Sequence, residues 1–92
     1  MIVIFRERAI EDLERIRDWI ARDQPRAAQK VVERLLERAT NLSLEGGARV
    51  GRPGREPGTR ELVEPPHIIV YEIDEALEQI IVLAVFHGRQ DR

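Results

Sequence analysis

Seven consecutive apolar residues, Ile80-Ile81-Val82-Leu83-Ala84-Val85-Phe86, constrain this chain more than any other feature. The run is far short of the roughly 18 residues needed to span a bilayer, and its β-branched content reads as a strand that is apolar on both faces. Such a strand belongs in the middle of a sheet, with helices over one side and something else, a partner chain being one candidate, over the other. It forms the second arm of a hairpin: His67 to Ile73 and Leu77 to His87 are two strands joined by an acidic turn at Asp74-Glu75-Ala76. A shorter strand, Thr59 to Val63, is stopped by Pro65-Pro66, and Ile2 to Phe5 opens the domain as a further strand.

Helical spacing fills the space between the first strand and the rest. Ala9, Leu13, Ile16 and Ile20 form one apolar stripe, while Glu11, Glu14, Arg15 and Asp18 lie off it. Asp23-Gln24-Pro25 breaks this pattern, because a residue before proline is pushed out of the helical region and proline suits the first position of a new helix. The second stripe runs Ala28, Val32, Leu35, Ala39 and Leu42, widened by Val31 and Leu36. From Glu45 to Gly58 periodicity vanishes: Gly46, Gly47, Gly51, Gly54 and Gly58, with Pro53 and Pro57, define an irregular loop. The fold class expected is α+β, in the order β-α-α-β-β-β, with a helical hairpin packed on a mainly antiparallel four-stranded sheet.

At 92 residues, 1–92 is expected to be a single domain, one that buries only about 60 to 65% of its unfolded surface. With no cysteine, neither disulfides nor thiolate metal sites can supplement the core. The opening apolar stretch is too short for a signal peptide and is followed at once by Arg6, Glu7 and Arg8, so a soluble, cytoplasmic protein without a membrane contact is expected. The net charge of −2 gives no global steering toward nucleic acid. One segment is locally basic: Arg49, Arg52, Arg55 and Arg60 stand against a single acid, Glu56. Glu72, Asp74, Glu75 and Glu78 make the hairpin turn acidic.

An ordered series of motifs resembles the RelE/ParE toxin superfamily, and its ParE-like branch in particular. The series is Ala9-Ile10-Glu11-Asp12-Leu13, Trp19, Pro25 with Ala27-Ala28, Gly51-Arg52-Pro53-Gly54 through Arg60-Glu61-Leu62, the Tyr71 strand, and Val85-Phe86-His87-Gly88-Arg89-Gln90. Arg6-Glu7 and Gln24 stand where the family usually has better helix caps. The resemblance implies the toxin of a type II toxin–antitoxin system, associated with plasmid stabilisation and held inactive in a hetero-oligomer by a cognate antitoxin, ParD-like or other. Operator DNA would be bound only through that antitoxin. ParE-like members are reported to poison DNA gyrase, whereas RelE-like members cleave mRNA on the ribosome.

The candidate residues bear on that choice. Metal-independent RNA cleavage needs a base, an acid and cations around the phosphorane-like transition state; His87, Glu61 and Tyr71 could move protons, and Arg52, Arg60 and Arg89 could carry charge. The only lysine, Lys30, lies in the second helix, away from any such set. The residue types are present, but the resemblance implies lysine and arginine concentrated on the sheet and a catalytic tyrosine or histidine near the C-terminus. With Tyr71 in the penultimate strand the set is incomplete against that pattern, so the leading reading is a non-enzymatic gyrase inhibitor. A ribosome-dependent endoribonuclease using His87, Arg60, Arg89 and Glu61 is the alternative, and an inactive homologue acting only in an antitoxin co-repressor complex is the third reading. Arg52, Arg55, Arg60 and Arg89 are the expected target contacts, with Arg60 facing the groove and paired to an acid such as Glu72. Trp19, Val82 and Val85 are the expected antitoxin contacts. Each has a structural counter-reading: His87 as a strand terminator bonded to backbone, Trp19 as a packing residue, the loop arginines as solvated charge. The two histidines stand twenty residues apart without a ligand cluster, so neither a metal nor a cofactor is expected.

Overall fold

A computed structural model of the chain describes residues 1–46 and 50–89. The elements are β1 (Ile2–Phe5), α1 (Glu7–Ala21), α2 (Pro25–Thr40), a one-turn α3 (Leu42–Glu45), β2 (Arg52–Pro53), β3 (Arg60–Glu64), β4 (His67–Asp74) and β5 (Gln79–His87). The sheet order is β1-β5-β4-β3-β2. β1 runs parallel to β5, and the other pairs are antiparallel. The apolar run therefore has a neighbour on both sides, as its composition requires.

Five strands stand where four were expected. The additional one is β2, only two residues long and placed at the sheet edge, where proline is tolerated. A pair of residues carries no alternation, and Pro53 reads as a strand breaker. The nominal loop from 45 to 58 thus contributes an edge to the sheet. Arg49 and Gln90, named in the motif reading, lie outside the described residues.

α1 begins without a side-chain cap at Arg6, and α2 begins without one at Gln24, with Pro25 in the first turn. Their stability comes from the buried faces. Ala9 and Leu13 of α1 and Leu35 and Ala39 of α2 join Leu62, Ile69, Tyr71, Ile80, Val82 and Val85 in one cluster. Ion pairs from Glu64 to Arg38, at 3.2 Å, and to Arg34, at 4.0 Å, tie β3 to α2.

The register explains why the apolar run does not alternate. Ile69 lies opposite Val85, but Tyr71 lies opposite Val82, because the pairing slips between Val70 and Tyr71. The slip adds one residue on β5, a bulge that changes which parity faces the helices. Ile80 and Val82 point inward on one side of it and Val85 on the other, so the inward set is 80, 82 and 85. In the middle of the sheet the outward residues Ile81 and Ala84 are buried as well. Phe86 has the Arg8 guanidinium over its ring, 5.2 Å from the centroid.

Candidate functional site

Among the described residues, polar side chains gather in two places. The first is a cleft of about 720 Å³ between the C-terminal half of α1 and the end of the sheet where β4 starts and β5 stops. Ile16, Ile20, Val85 and the Trp19 indole supply apolar surface, and Arg15, His67, His87 and Arg89 line it with polar groups. Trp19 is 69% exposed, with the Arg22 guanidinium 5.2 Å from its ring centroid.

The cleft exists because α1 is pinned along β5. β1 ends opposite Val82, which leaves the next stretch of the β5 edge without a strand partner on that side. Asp12 takes up part of this edge: its Oδ2 accepts the Val85 backbone N–H at 2.9 Å. Its Oδ1 accepts from Arg15 at 2.9 Å, and Arg8 lies 3.7 Å away. A buried carboxylate is tolerable only when paired in this way. Asp12 belongs to the Ala9–Leu13 motif but was given no role from the sequence, and neither was Arg15; the signal for Asp12 is that an acid at position 12 falls between Ala9 and Leu13 on the apolar stripe.

His67 and His87 are directly opposed across β4 and β5, ring centroids 5.6 Å apart and nearly perpendicular. Burial, and secondarily the nearby His87, pushes the His67 pKa below the ordinary histidine value. His87 is exposed, and its Nδ1 accepts the Arg89 backbone N–H at 3.1 Å. That bond places the proton of the neutral ring on Nε2. The Gly88 N–H donates to the Pro66 carbonyl at 2.6 Å, closing the same corner from the other side.

The second place is the β2–β3 hairpin on the opposite edge of the sheet. The Gly54 N–H donates to the Thr59 carbonyl at 2.8 Å, and the Thr59 hydroxyl donates to the Glu56 carbonyl at 2.7 Å, so a short tip presents Arg55. Gly58 turns the chain there with φ of 82°. Gly51 is required on steric grounds: a Cβ would lie 2.0 Å from the Tyr71 hydroxyl oxygen. Arg60 donates to the Gly51 carbonyl, which fastens the hairpin base.

Residues 3–92 match the model of the ParE toxin of type II toxin–antitoxin systems, parDE. The chain belongs to this ParE toxin family. A Sinorhizobium fredii protein named as toxin Y4kP is 41% identical over 85 residues, spanning 90% of this chain and 83% of that protein. Among solved structures, a chain of a chromosomal ParDE toxin–antitoxin system from P. aeruginosa superposes with a TM-score of 0.84 at 26% identity, over 95% of both chains. A chain of a RelBE toxin–antitoxin complex from Mycobacterium tuberculosis gives 0.71 at 25% identity, over 94% of this chain and 88% of that one. The intact E. coli RelBE complex contains a chain with a TM-score of 0.61 at 13% identity, over 99% of this chain and 98% of that one, a likeness of fold alone.

In this ParE-family toxin the expected site residues fall into separate groups. Trp19, Val85, His87 and Arg89 come together around the cleft. Val82 does not: it is fully buried beneath the helices and offers no surface to a partner. Arg52 and Arg55 belong to the far hairpin, and Arg52 is bound to the buried Glu61, 3.1 Å from its Oε1. Arg60 is opposite Tyr71, not beside Glu72, because Glu72 faces the other side of the sheet, where it opposes Ile81. Tyr71 is itself wholly buried. Among the described residues of the ParE-family chain, no group of three or more His, Cys, Asp and Glu could hold a metal ion, and no helix is long and apolar enough to cross a membrane.

Proposed function

We propose that this ParE-family toxin inhibits DNA gyrase by binding, without cleaving RNA, and is neutralised by a cognate antitoxin in a hetero-oligomer. The observation that supports this reading is the dispersal of the nuclease candidates. His87 and Arg89 border the cleft, whereas Glu61 is in an ion pair with Arg52 and Arg60 is bound to the Gly51 carbonyl. From His67, opposite His87, the cross-strand neighbour on β3 is Glu64. Arg60 is four residues further along that strand, about 13 Å at the usual rise. A base, an acid and a cation acting on one phosphodiester must all lie within hydrogen-bond reach of it, and these do not.

Recognition is assigned to the hairpin tip carrying Arg55, with Arg89 at the other edge as a second contact. A loop held on a rigid sheet is a common carrier of binding residues. The antitoxin partner is inferred from the ParDE and RelBE systems in which the structural relatives occur, and operator DNA is reached through it. Both partners place the activity in the cytoplasm.

The test is a pair of assays on purified toxin. Gyrase supercoiling should be blocked, or cleaved gyrase–DNA complex should accumulate, and mRNA should stay intact with translating ribosomes. Unaffected supercoiling at high toxin concentration, together with ribosome-dependent cleavage, replaces the proposal with the nuclease reading. Neither gyrase inhibition nor mRNA cleavage, with no growth arrest on expression, leaves only the co-repressor role.

A further inference from the structure

Arg60 is the one cation of β3, and its charge has no counter-ion. The two acids of the strand are taken, Glu61 by Arg52 and Glu64 by Arg38 and Arg34. Glu72 lies on the other face of the sheet. Among the described residues Arg60 forms no ion pair, and its side chain makes one hydrogen bond, from Nη2 to the Gly51 carbonyl. Its Nε is buried without a hydrogen-bond partner.

A buried N–H left unpaired is unfavourable, and replacing a buried charge by an apolar chain of similar volume is commonly neutral or stabilising. Arg60 is thus held at a cost to stability, and groups of that kind concentrate where function uses them. We infer that Arg60 is a positioning residue for target recognition: its bond to the Gly51 carbonyl sets the base of the β2–β3 hairpin, and thereby the direction in which the tip presents Arg55. This rests on the recognition by the hairpin tip proposed above and adds the residue that aims it.

The backbone alone holds β2 weakly. The strand is two residues long, it pairs only through Arg52 with Glu61 and Pro53 with Arg60, and Pro53 has no N–H to donate. The tip beyond it is bonded to itself. The Gly54 N–H donates to the Thr59 carbonyl, and the Thr59 N–H and hydroxyl both donate to the Glu56 carbonyl. A tip closed in this way moves as a unit, so its direction is decided at its base.

At that base the chain passes Gly51, packed so closely that a Cβ would lie 2.0 Å from the Tyr71 hydroxyl oxygen and 3.1 Å from the Glu61 carbonyl oxygen. Tyr71 is wholly buried and directly opposite Arg60, on the same face of the sheet. Arg60 from β3 and Tyr71 from β4 both reach Gly51, which ties the hairpin base to the core. A direct contact between Arg60 and the target fits less well, because Nε is closed off from solvent and Nη2 is engaged.

The experiment compares Arg60→Met, Arg60→Lys, Arg55→Ala and the double variant Arg55→Ala/Arg60→Met in the full-length toxin. Urea unfolding reports stability. Trypsin cleavage after Arg55, identified by mass spectrometry, reports tip order, since the Arg52–Pro53 bond resists trypsin. Supercoiling inhibition, together with growth arrest on expression, reports potency.

Arg60→Met should unfold at a midpoint equal to or above that of wild type. Cleavage after Arg55 should be about fivefold faster or more, because a loosened tip is open for a larger share of the time. Potency should fall about tenfold, the scale of a lost recognition contact. Arg60→Lys, with a donor left for the Gly51 carbonyl, should recover part of both. In the Arg55→Ala background Arg60→Met should weaken potency by less than about twofold, because the contact it positions is already gone.

A lower unfolding midpoint for Arg60→Met makes the residue a support of the fold and overturns the proposal. Full potency overturns it too, as does cleavage after Arg55 at the wild-type rate. A loss that adds in full to that of Arg55→Ala makes Arg60 a contact in its own right, which also overturns it. Full potency of Arg55→Ala takes the tip out of recognition, and the proposal falls with it. Wild-type toxin that arrests growth without touching gyrase sinks the gyrase reading alone, and the same cycle is then decided by growth arrest and cleavage rates.

Discussion

The Asp12 carboxylate on α1 accepts the backbone N–H of Val85 on β5 at 2.9 Å, across 73 residues of sequence. It occupies a position that a longer β1 would otherwise fill, and in doing so fixes how far α1 stands from the sheet. The cleft walls follow from this one bond: Arg15, Ile16 and Trp19 come later on the same helix.

Asp12→Ala should lower the stability of the isolated toxin by about 2 to 3 kcal/mol, because it strips a charged acceptor from a buried N–H. Asp12→Asn keeps an acceptor and should cost about 1 kcal/mol. Urea unfolding checks both; equal stability of Asp12→Ala and wild type would show that water replaces the carboxylate.

Gly51→Ala forces a methyl into the Tyr71 hydroxyl, 2.0 Å from where its Cβ must sit. A loss of about 2 kcal/mol or more is expected, in the range of overpacked cores. Adding Tyr71→Phe should recover part of it, since the ring carbon Cζ still lies 2.9 Å from that Cβ. A double variant no more stable than Gly51→Ala alone would point to backbone strain instead of the hydroxyl.

Arg52 and Arg55 should separate in experiment although they look alike in sequence. Arg52→Ala removes a partner from the buried Glu61 and should destabilise the hairpin by about 1 kcal/mol, a modest figure because the arginine is itself largely exposed. Adding Glu61→Gln should restore part of that loss. Arg55→Ala, at an exposed tip position, should reduce gyrase inhibition by far more than any shift it causes in the unfolding midpoint. Full potency of Arg55→Ala would remove the tip from the target interface.

His67 titrates with a pKa below the ordinary histidine value of about 6.5 because it is buried. The unfolded chain therefore binds more protons there than the folded one, and the folded state loses stability as pH drops below that value toward the lowered pKa. The melting temperature should fall on acidification through this window, and His67→Gln should fall less. A melting temperature equally pH-sensitive in both proteins assigns the effect to other groups.

Much of the fold is legible before any coordinates. The spacing of Ala9, Leu13, Ile16 and Ile20, the break at Pro25, and the acidic turn between two apolar strands each report a local preference. α1, α2, β4 and β5 accordingly lie where periodicity puts them. β2 was not legible, since two residues hold no pattern and Pro53 argues against a strand. The seven-residue run was legible as a central strand but not as a bulged one. Alternation is lost equally when both faces are buried and when parity changes midway, and here both occur.

Of the candidate site, residue type could be read and neighbourhood could not. Arg52 and Arg55 lie in one glycine-rich stretch, yet one serves Glu61 and the other the hairpin tip. Trp19 and His87 are far apart in the chain, yet they border one cleft. Sequence alone determined the two long helices, the four longer strands, the family and the absence of cysteine chemistry, because those depend on local preference and composition. Only the tertiary structure decided which charges are neutralised, that Val82 is sealed while Val85 borders the cleft, and that two histidines share a corner, because these depend on strand register, and a single inserted residue resets it.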